Sequence, residues 1–267
     1  MDLGLTGDIA VVTGGTRGIG RAICRALAAE GCHLALCARD RRGIEDAAAE
    51  LRSLGVRVHA AVADVTSADA FARFIAEAVE AFGQIHHLVA NVGGAVGGES
   101  LVASPEEWLH TFDLNVGHAV RAVQATVPHM PADGRCSIVI ISSISGWKPG
   151  PRAQYGAAKA AEIFLAGALA EELAGQRIRV NTLSPGSILF PGGGWDRLRL
   201  QQPERFSAYV QHEFPWERLG TAEEVADVAA FLLSPRARWV NGAHVPVDGA
   251  QRGPTAPKAP PSTEPPR

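Results

Sequence analysis

Ile9-Ala-Val-Val-Thr-Gly-Gly-Thr-Arg-Gly-Ile-Gly20 carries three signals in one stretch. Ile9 to Val12 is a short apolar run that reads as a buried strand. A turn containing Thr13, Gly14, Thr16, Arg17, Gly18, Ile19 and Gly20 follows it directly. Ile23, Leu27 and Ala28 then recur at helical spacing until Gly31 stops the pattern. Strand, glycine-rich turn and helix together form the geometry that holds a dinucleotide pyrophosphate. The glycines permit a tight turn and close backbone approach, and the helix N-terminus favours negative charge. Alone, such a turn is also an ordinary strand-to-helix connection, so its meaning depends on the surrounding chain.

A second strand, His33 to Ala38, ends about twenty residues beyond the last glycine, where the adenosine ribose of a bound dinucleotide would lie. An acidic residue ending that strand would favour NAD. Here the end reads Cys37-Ala38-Arg39-Asp40, and Arg39 is available to clasp a 2′-phosphate with Arg17 approaching from the turn. Two guanidiniums on one dianion form a charge-assisted, selective arrangement. NADP(H) is therefore favoured, and Asp40 leaves NAD(H) open. An amphipathic helix (Arg41 to Leu54) and a strand (Val56 to Ala63) lead to Asp64-Val65, where Asp64 is positioned to accept a hydrogen bond from the adenine amino group. Phe71, Phe74, Ile75, Ala78, Val79 and Phe82 form an apolar stripe at helical spacing and read as core. Ile85 to Ala90 is the fourth strand, running into Asn91-Val-Gly-Gly94. On a strand, His86 and His87 would point to opposite faces, so they are not expected to share a metal, and no metal site is read anywhere.

With 267 residues, 46% of them hydrophobic, the chain fits one large α/β domain. A net charge of −3 argues against nucleic acid or an anionic membrane as the main partner. Cys24, Cys32, Cys37 and Cys136 show no C-x-x-C spacing and read as buried reduced thiols, which fits a cytoplasmic protein. There is no apolar run of membrane-spanning length and no secretory pattern at the N-terminus.

The second half holds the candidate chemistry. Tyr155-Gly-Ala-Ala-Lys159 lies on a stretch rich in good helix formers, so the two side chains project from one face. A free phenol titrates near 10, and a neighbouring ammonium favours its phenolate, as acid/base catalysis requires. The pair alone occurs on many solvated helices. Upstream, however, the strand Ser137 to Ile141 delivers Ser142 and Ser143, whose hydroxyls are candidates to bind a substrate oxygen. Ser104-Pro105-Glu106-Glu107 opens a helix with a cap and a capping box. That helix carries Asn115 in its interior, where asparagine is a poor helix former and invites a reason. Ile178 to Leu183 is a sixth strand, ending in Ser184-Pro185-Gly186. Residues 187–216 read as loop and lid, Thr221 with Glu224 caps a last helix, and a final strand lies near Ala243 to Val247. Alternating strands and helices predict a single doubly wound, Rossmann-type α/β domain over residues 1–252. Its parallel sheet has about seven strands covered on both faces. Residues 253–267 read as a Pro-rich disordered tail.

The glycine turn, Asn91, Asn115, the serine pair, Tyr155/Lys159 and Pro185-Gly186, in this order, make the sequence resemble the short-chain dehydrogenase/reductase family. Its 3-oxoacyl-reductase-like and tropinone-reductase-like members are nearest in pattern. The resemblance implies that Thr13 stabilises the turn and that Gly14, Gly18, Ile19 and Gly20 line the phosphates. It puts Asp64 and Val65 beside adenine, has Asn91 support the cofactor next to Gly93, and has Ile188, after Pro185-Gly186, meet the nicotinamide carboxamide. Tyr155 becomes the general acid/base, Lys159 holds the nicotinamide ribose, and Asn115 maintains a water that extends the proton relay. A homo-oligomer, tetramer or dimer, with the Asn115 and Tyr155 helices at an interface, is also implied.

The sequence departs from the family pattern in three places. Only one of two usual asparagines remains, in Ala90-Asn91-Val92-Gly93. Phe190 replaces a threonine that would contact the carboxamide. The usual serine-to-tyrosine separation of thirteen picks Ser142, whereas the Ser143-Ile-Ser-Gly146 context picks Ser143, which is the expected catalytic serine if the loop after it is one residue shorter. The expected activity is NADP(H)-dependent interconversion of a carbonyl and an alcohol on a small, largely apolar substrate. The alternatives are an NAD-dependent alcohol or hydroxysteroid dehydrogenase and a non-catalytic NADP(H) sensor. For the substrate, Gly93 to Gly98, Trp147, Pro149, Phe190 and Trp195 form either a pocket or plain packing. Arg135, Arg152, Arg197 and Arg199 are scattered candidates for contact with an acyl carrier protein.

Overall fold

Seven parallel strands in the order β3-β2-β1-β4-β5-β6-β9 run through the centre of the computed structural model, which describes residues 2–254. They are β1 (Ile9–Thr13), β2 (His33–Ala38), β3 (Val58–Val62), β4 (His87–Ala90), β5 (Ser137–Ile141), β6 (Arg179–Pro185) and β9 (His244–Val247). The central strands are buried throughout, as a sheet covered on both faces demands. The order reverses between β1, which pairs with β2 on one side, and β4 on the other. At that switch point the connections leaving the two strands run to opposite faces of the sheet and leave a crevice beyond the strands' carboxyl ends.

Helices α1 (Gly18–Ala29) and α9 (Ala222–Leu233) pack on one face. Ile23, Leu27, Val225, Ala229 and Leu233 bury there against Val12, Leu36 and Leu183. The other face carries α3 (Ala68–Phe82), α5 (His118–Thr126) and α6 (Ala153–Glu172) over Val11, Leu88, Ile138 and Val180. The apolar stripe of α3 is core as expected: Phe71, Phe74, Ile75 and Ala78 are buried, each large side chain contributing about 1.5–3 kcal/mol. Helix α2 (Arg41–Ser53) begins at Asp40, whose side chain accepts from the Gly43 N–H. Asp40 is thus the N-cap of the helix.

The chain departs from its sequence reading in three places. Residues 187–216 are not plain loop. They hold a short strand β7 (Ile188–Leu189), α7 (Gly194–Gln201) and α8 (Pro203–Glu213), with β7 pairing to β8 (Gly220–Thr221). Secondly, the helix expected around Asn115 is interrupted. Between α4 (Pro105–Phe112) and α5 a π-helical turn spans Asp113–Gly117, and Asn115 sits inside it. Thirdly, His86 precedes β4, so the opposite-face argument fails there. His87 Nε2 lies 3.0 Å from Asp8 Oδ2 and His86 Nδ1 lies 3.9 Å from Asp8 Oδ1, both on one buried carboxylate. Among the described residues no group of three or more His, Cys, Asp or Glu is placed to hold a metal ion. The tail expected beyond residue 253 lies, from residue 255 on, outside the described residues.

Candidate active site

A cleft of about 670 Å³ opens at the switch point. Its floor is the glycine turn, built as the sequence requires. Gly14 has φ +68°, and a Cβ at Gly20 would collide with the Gly14 carbonyl oxygen and with Asn91 Nδ2. Neither position accepts a side chain, and the backbone is left bare. Helix α1 starts at Gly18 with no side-chain cap from Arg17 and no acidic residue in its first turn. Its leading N–H groups and the positive end of its dipole face the cleft, a site suited to an anion. Thr13 works from below: its hydroxyl accepts from Asn91 N–H (2.9 Å) and Val92 N–H (3.3 Å). Asn91 Nδ2 donates back to the Thr13 carbonyl at 2.9 Å, which pins the ends of β1 and β4 together.

The cleft lining gathers most of the expected cofactor residues: Gly14, Thr16, Arg17, Gly18, Ile19, Gly20, Arg39, Asp64, Val65, Asn91, Gly93, Tyr155 and Lys159. Arg17 and Arg39 are exposed on its rim, and neither forms a salt bridge among the described residues. Asp64 Oδ1 accepts from the Thr66 N–H (2.9 Å) and hydroxyl (2.7 Å). These hydrogen bonds, with Arg39 adding a smaller pull, hold its carboxyl below the usual range. Pro185, Gly186 and Ile188 do not line the cleft. Ile188 is buried with its side chain against Gly220. Phe190, on the other hand, does line it, its ring pressed against Gly18 and Gly193 as a roof over the turn. Trp195 lies elsewhere, stacked on Tyr209 (centroids 4.4 Å apart, planes at 4°) with Phe214 edge-on in a small separate core. Trp147 packs edge-on to His244. Of the suggested substrate-pocket aromatics, only Phe190 faces the cleft.

At the inner end, α6 presents Tyr155 and Lys159, and Lys159 Nζ is 5.7 Å from the centre of the Tyr155 ring. Lys159 is buried; Nζ donates to the Ile141 carbonyl (2.9 Å) and to both oxygens of Glu162 (2.9 and 3.1 Å). Burial alone would push this ammonium down, but Glu162 and Tyr155 outweigh it and hold Lys159 above the ordinary lysine value. The sequence reading missed Glu162, although it lies three residues after Lys159 and on the same buried face as Ala158, Ala166 and Ala170.

Asn115 is fully buried. Its Nδ2 donates to the carbonyls of Gly94 (2.8 Å) and Thr111 (2.6 Å), and its Oδ1 accepts from the Gly94 N–H (3.1 Å). A side chain at Gly93 would strike both Asn115 Oδ1 and Lys159 Nζ, which brings these groups into one neighbourhood. The two serines are used differently. Ser142 is buried, and its hydroxyl donates to the Lys159 carbonyl at 2.8 Å. Ser143 is half-buried and accepts from the Ser145 N–H at 3.2 Å, which leaves its own proton to donate. Ser142 is among the residues lining the cleft and Ser143 is not.

The fold is that of known proteins. A family model described as "Enoyl-(Acyl carrier protein) reductase" matches residues 14–250. Dehydrogenase/reductase SDR family member 4 of Bos taurus is 35% identical over 247 residues, covering 92% of this chain and 87% of its own. The chain belongs to the short-chain dehydrogenase/reductase family. It is an oxidoreductase of that family, with a nucleotide-binding Rossmann fold. Isoepoxydon dehydrogenase of Penicillium expansum is 33% identical over 254 residues, covering 92% of this chain and 95% of its own. Among solved structures, L-sorbose reductase of Gluconobacter frateurii complexed with NADPH and L-sorbose superposes with a TM-score of 0.87 at 33% identity. It covers 94% of this chain and 98% of that one. A 7α-hydroxysteroid dehydrogenase complexed with NADH gives a TM-score of 0.87 at 28% identity, covering 96% and 98%.

His118, three residues after Asn115, is buried, and burial together with the positive charges of Lys159 and Arg121 pushes its imidazole down to about 3. An unfolded histidine titrates near 6.5, so between these values the unfolded chain binds the extra proton and the native state does not. Stability is complete above pH 6.5 and falls as the pH drops, by about 2 kcal/mol at pH 5 from this residue. Urea unfolding at pH 7.5 and pH 5 measures the difference, and His118→Gln is expected to flatten it. An unchanged slope in that variant would assign the acid sensitivity to His86 and His87, which burial also pushes down.

Proposed function

We propose that the protein is an NADP(H)-dependent oxidoreductase that interconverts a carbonyl and an alcohol on a small, largely apolar substrate, with Tyr155 as general acid/base. One observation carries the reading: Tyr155 and Lys159 line the same cleft as the bare glycine turn and the two rim arginines. When bound, the nicotinamide supplies the hydride in reduction and takes it in oxidation. Gly14, Gly18, Ile19 and Gly20 receive the pyrophosphate, Asp64 and Val65 flank the adenine, and Arg17 and Arg39 clasp the 2′-phosphate. Lys159 holds the nicotinamide ribose. Tyr155 gives its hydroxyl proton to the substrate oxygen as charge develops there, and takes it back in the reverse direction. Ser143 steadies that oxygen with the proton its own hydroxyl has free. Donors already in place lower the barrier because they meet the charge only as it forms. Asn115 fixes the Gly93–Gly94 backbone beside Lys159, where a water would continue the proton path.

Residues 1–252 act as one catalytic domain in this reading. The exposed apolar residues Leu109 on α4 and Phe164 on α6, 72% and 81% exposed, support a homo-oligomer built on those helices. Among the described residues no helix is long and apolar enough to cross a membrane. The four free, buried cysteines support a cytoplasmic protein. Arg135, Arg197 and Arg199 are tied to Asp8 and Asp133, the Gly192 carbonyl and Asp196 respectively, so they do not support an acyl-carrier surface. A panel of ketones, aldehydes and secondary alcohols, followed by NAD(P)H absorbance with both cofactors, tests the reading. Turnover of at least one class, faster with NADP(H), is expected. Tight NADPH binding with no turnover across the panel would instead support a sensor.

A further inference from the structure

The family reading assigns Lys159 a task at the nicotinamide ribose but gives no account of the carboxylate bound to it. Glu162 grips Nζ with both oxygens, at 2.9 and 3.1 Å, and both side chains are only 2% exposed. A buried carboxylate is expensive unless paired, so its presence at this spot needs a reason. Nζ also donates to the Ile141 carbonyl, at the end of β5 where the strand delivers Ser142; one proton shared between the two Glu162 oxygens leaves the last of its three N–H groups for the cofactor ribose. The ammonium is therefore fixed from two sides, by its own helix and by the sheet, with the Tyr155 ring on its open side.

We propose that Glu162 is the positioning residue for Lys159, a buried counter-carboxylate that seats the ammonium between itself and the Ile141 carbonyl so that Nζ faces Tyr155 and the cofactor cleft. This rests on the reading of Tyr155 and Lys159 as the working pair. Without the carboxylate, two forces act on Lys159 together. Burial favours the uncharged amine, and a four-carbon stem with no anchor samples other rotamers. The titratable groups around Nζ are Tyr155 and Glu162 on α6 and His118 on α5, and the Arg121–Asp113 pair also acts on His118. Glu162 is the one that favours the charged amine by direct contact.

The chain has three lysines, Lys148, Lys159 and Lys258, so protein grown on isotope-labelled lysine gives an NMR spectrum in which each can be titrated. In Glu162→Gln, the midpoint of Lys159 is expected to fall by roughly one unit or more, with Lys148 and Lys258 unmoved. NADPH affinity, followed by the fluorescence of the reduced cofactor, is expected to fall about tenfold and to be lost at lower pH than in the wild type. An unchanged Lys159 midpoint together with unchanged NADPH affinity overturns the proposal. Should Glu162→Gln fail to fold, Glu162→Asp asks the same question. The shorter arm keeps the charge but loses the two-oxygen grip, so the midpoint holds while NADPH affinity falls several-fold; wild-type affinity there overturns the proposal. The two readings fail separately. Full activity in Tyr155→Phe and Lys159→Met would remove the catalytic pair itself, whereas inactive pair variants beside wild-type Glu162 variants would remove only the role given to Glu162.

Discussion

Tyr155→Phe is expected to lower kcat by about 10²- to 10⁴-fold, the range that a positioned proton donor supplies, while NADPH affinity changes little. The substitution keeps the ring that sits 5.7 Å from Lys159 Nζ and removes only the hydroxyl. The ring's packing on α6 is therefore preserved, and the buried Lys159–Glu162–Ile141 arrangement beneath it does not depend on the lost oxygen. What disappears is an interaction that strengthens as charge builds on the substrate oxygen. Such a loss lowers kcat and kcat/KM together and leaves ground-state binding intact. Steady-state kinetics on the best substrate of the panel, paired with a direct NADPH titration, separate the two quantities. Near-normal turnover would dismiss Tyr155 as the acid/base; a loss of cofactor affinity with kcat retained would reduce it to a binding residue. Ser143→Ala and Ser142→Ala made alongside discriminate the serines. Ser142 already spends its proton on the Lys159 carbonyl, so its loss is expected to act through the placement of α6.

Where a single strong physical requirement dictated the residues, the sequence was easy to read. The strand, glycine turn and helix at residues 9–31 were legible because close backbone approach excludes side chains at fixed positions, and Gly20 has no room for one. Tyr155 and Lys159 were legible because helical spacing alone puts them on one face. Other features needed three dimensions. Asn115 was recognisably out of place in a helix, but propensity does not say that a π turn resolves the conflict by aiming its amide at Gly94. In the lid, three successive glycines and Pro191 suggested loop. Pro203 occupies the first turn of α8, where its missing N–H costs nothing. Trp195 looked equally suited to a substrate pocket or to packing until Tyr209 was found stacked against it. Glu162 was silent because a glutamate on an Ala-rich helix reads as solvated. Only the depth of that face in the fold turns it into a partner for Lys159.

Arg39→Asp is expected to raise the KM for NADPH about a hundredfold and to leave that for NADH unchanged or lower. Asp40 is the residue that leaves NAD(H) open in the sequence. Its carboxylate caps α2 through the Gly43 N–H and is committed to the helix end. Both residues line the cleft, but Arg39 has its charge uncommitted there. A guanidinium hydrogen-bonded to a phosphate contributes about 1.5–3 kcal/mol, and 2.7 kcal/mol corresponds to about a hundredfold in affinity. Reversing the charge adds repulsion to that loss. At the same time the new carboxylate can accept from the free ribose hydroxyls of NADH, which carries no 2′-phosphate. The selectivity therefore changes from both directions. Arg17 lines the same opening, so Arg17→Ala should weaken NADPH alone and the double variant should exceed either single change. An unaltered NADPH-to-NADH ratio in Arg39→Asp would mean that the two arginines are solvated bystanders, and cofactor preference would then have to be set deeper in the cleft, at Asp64 and the glycine turn.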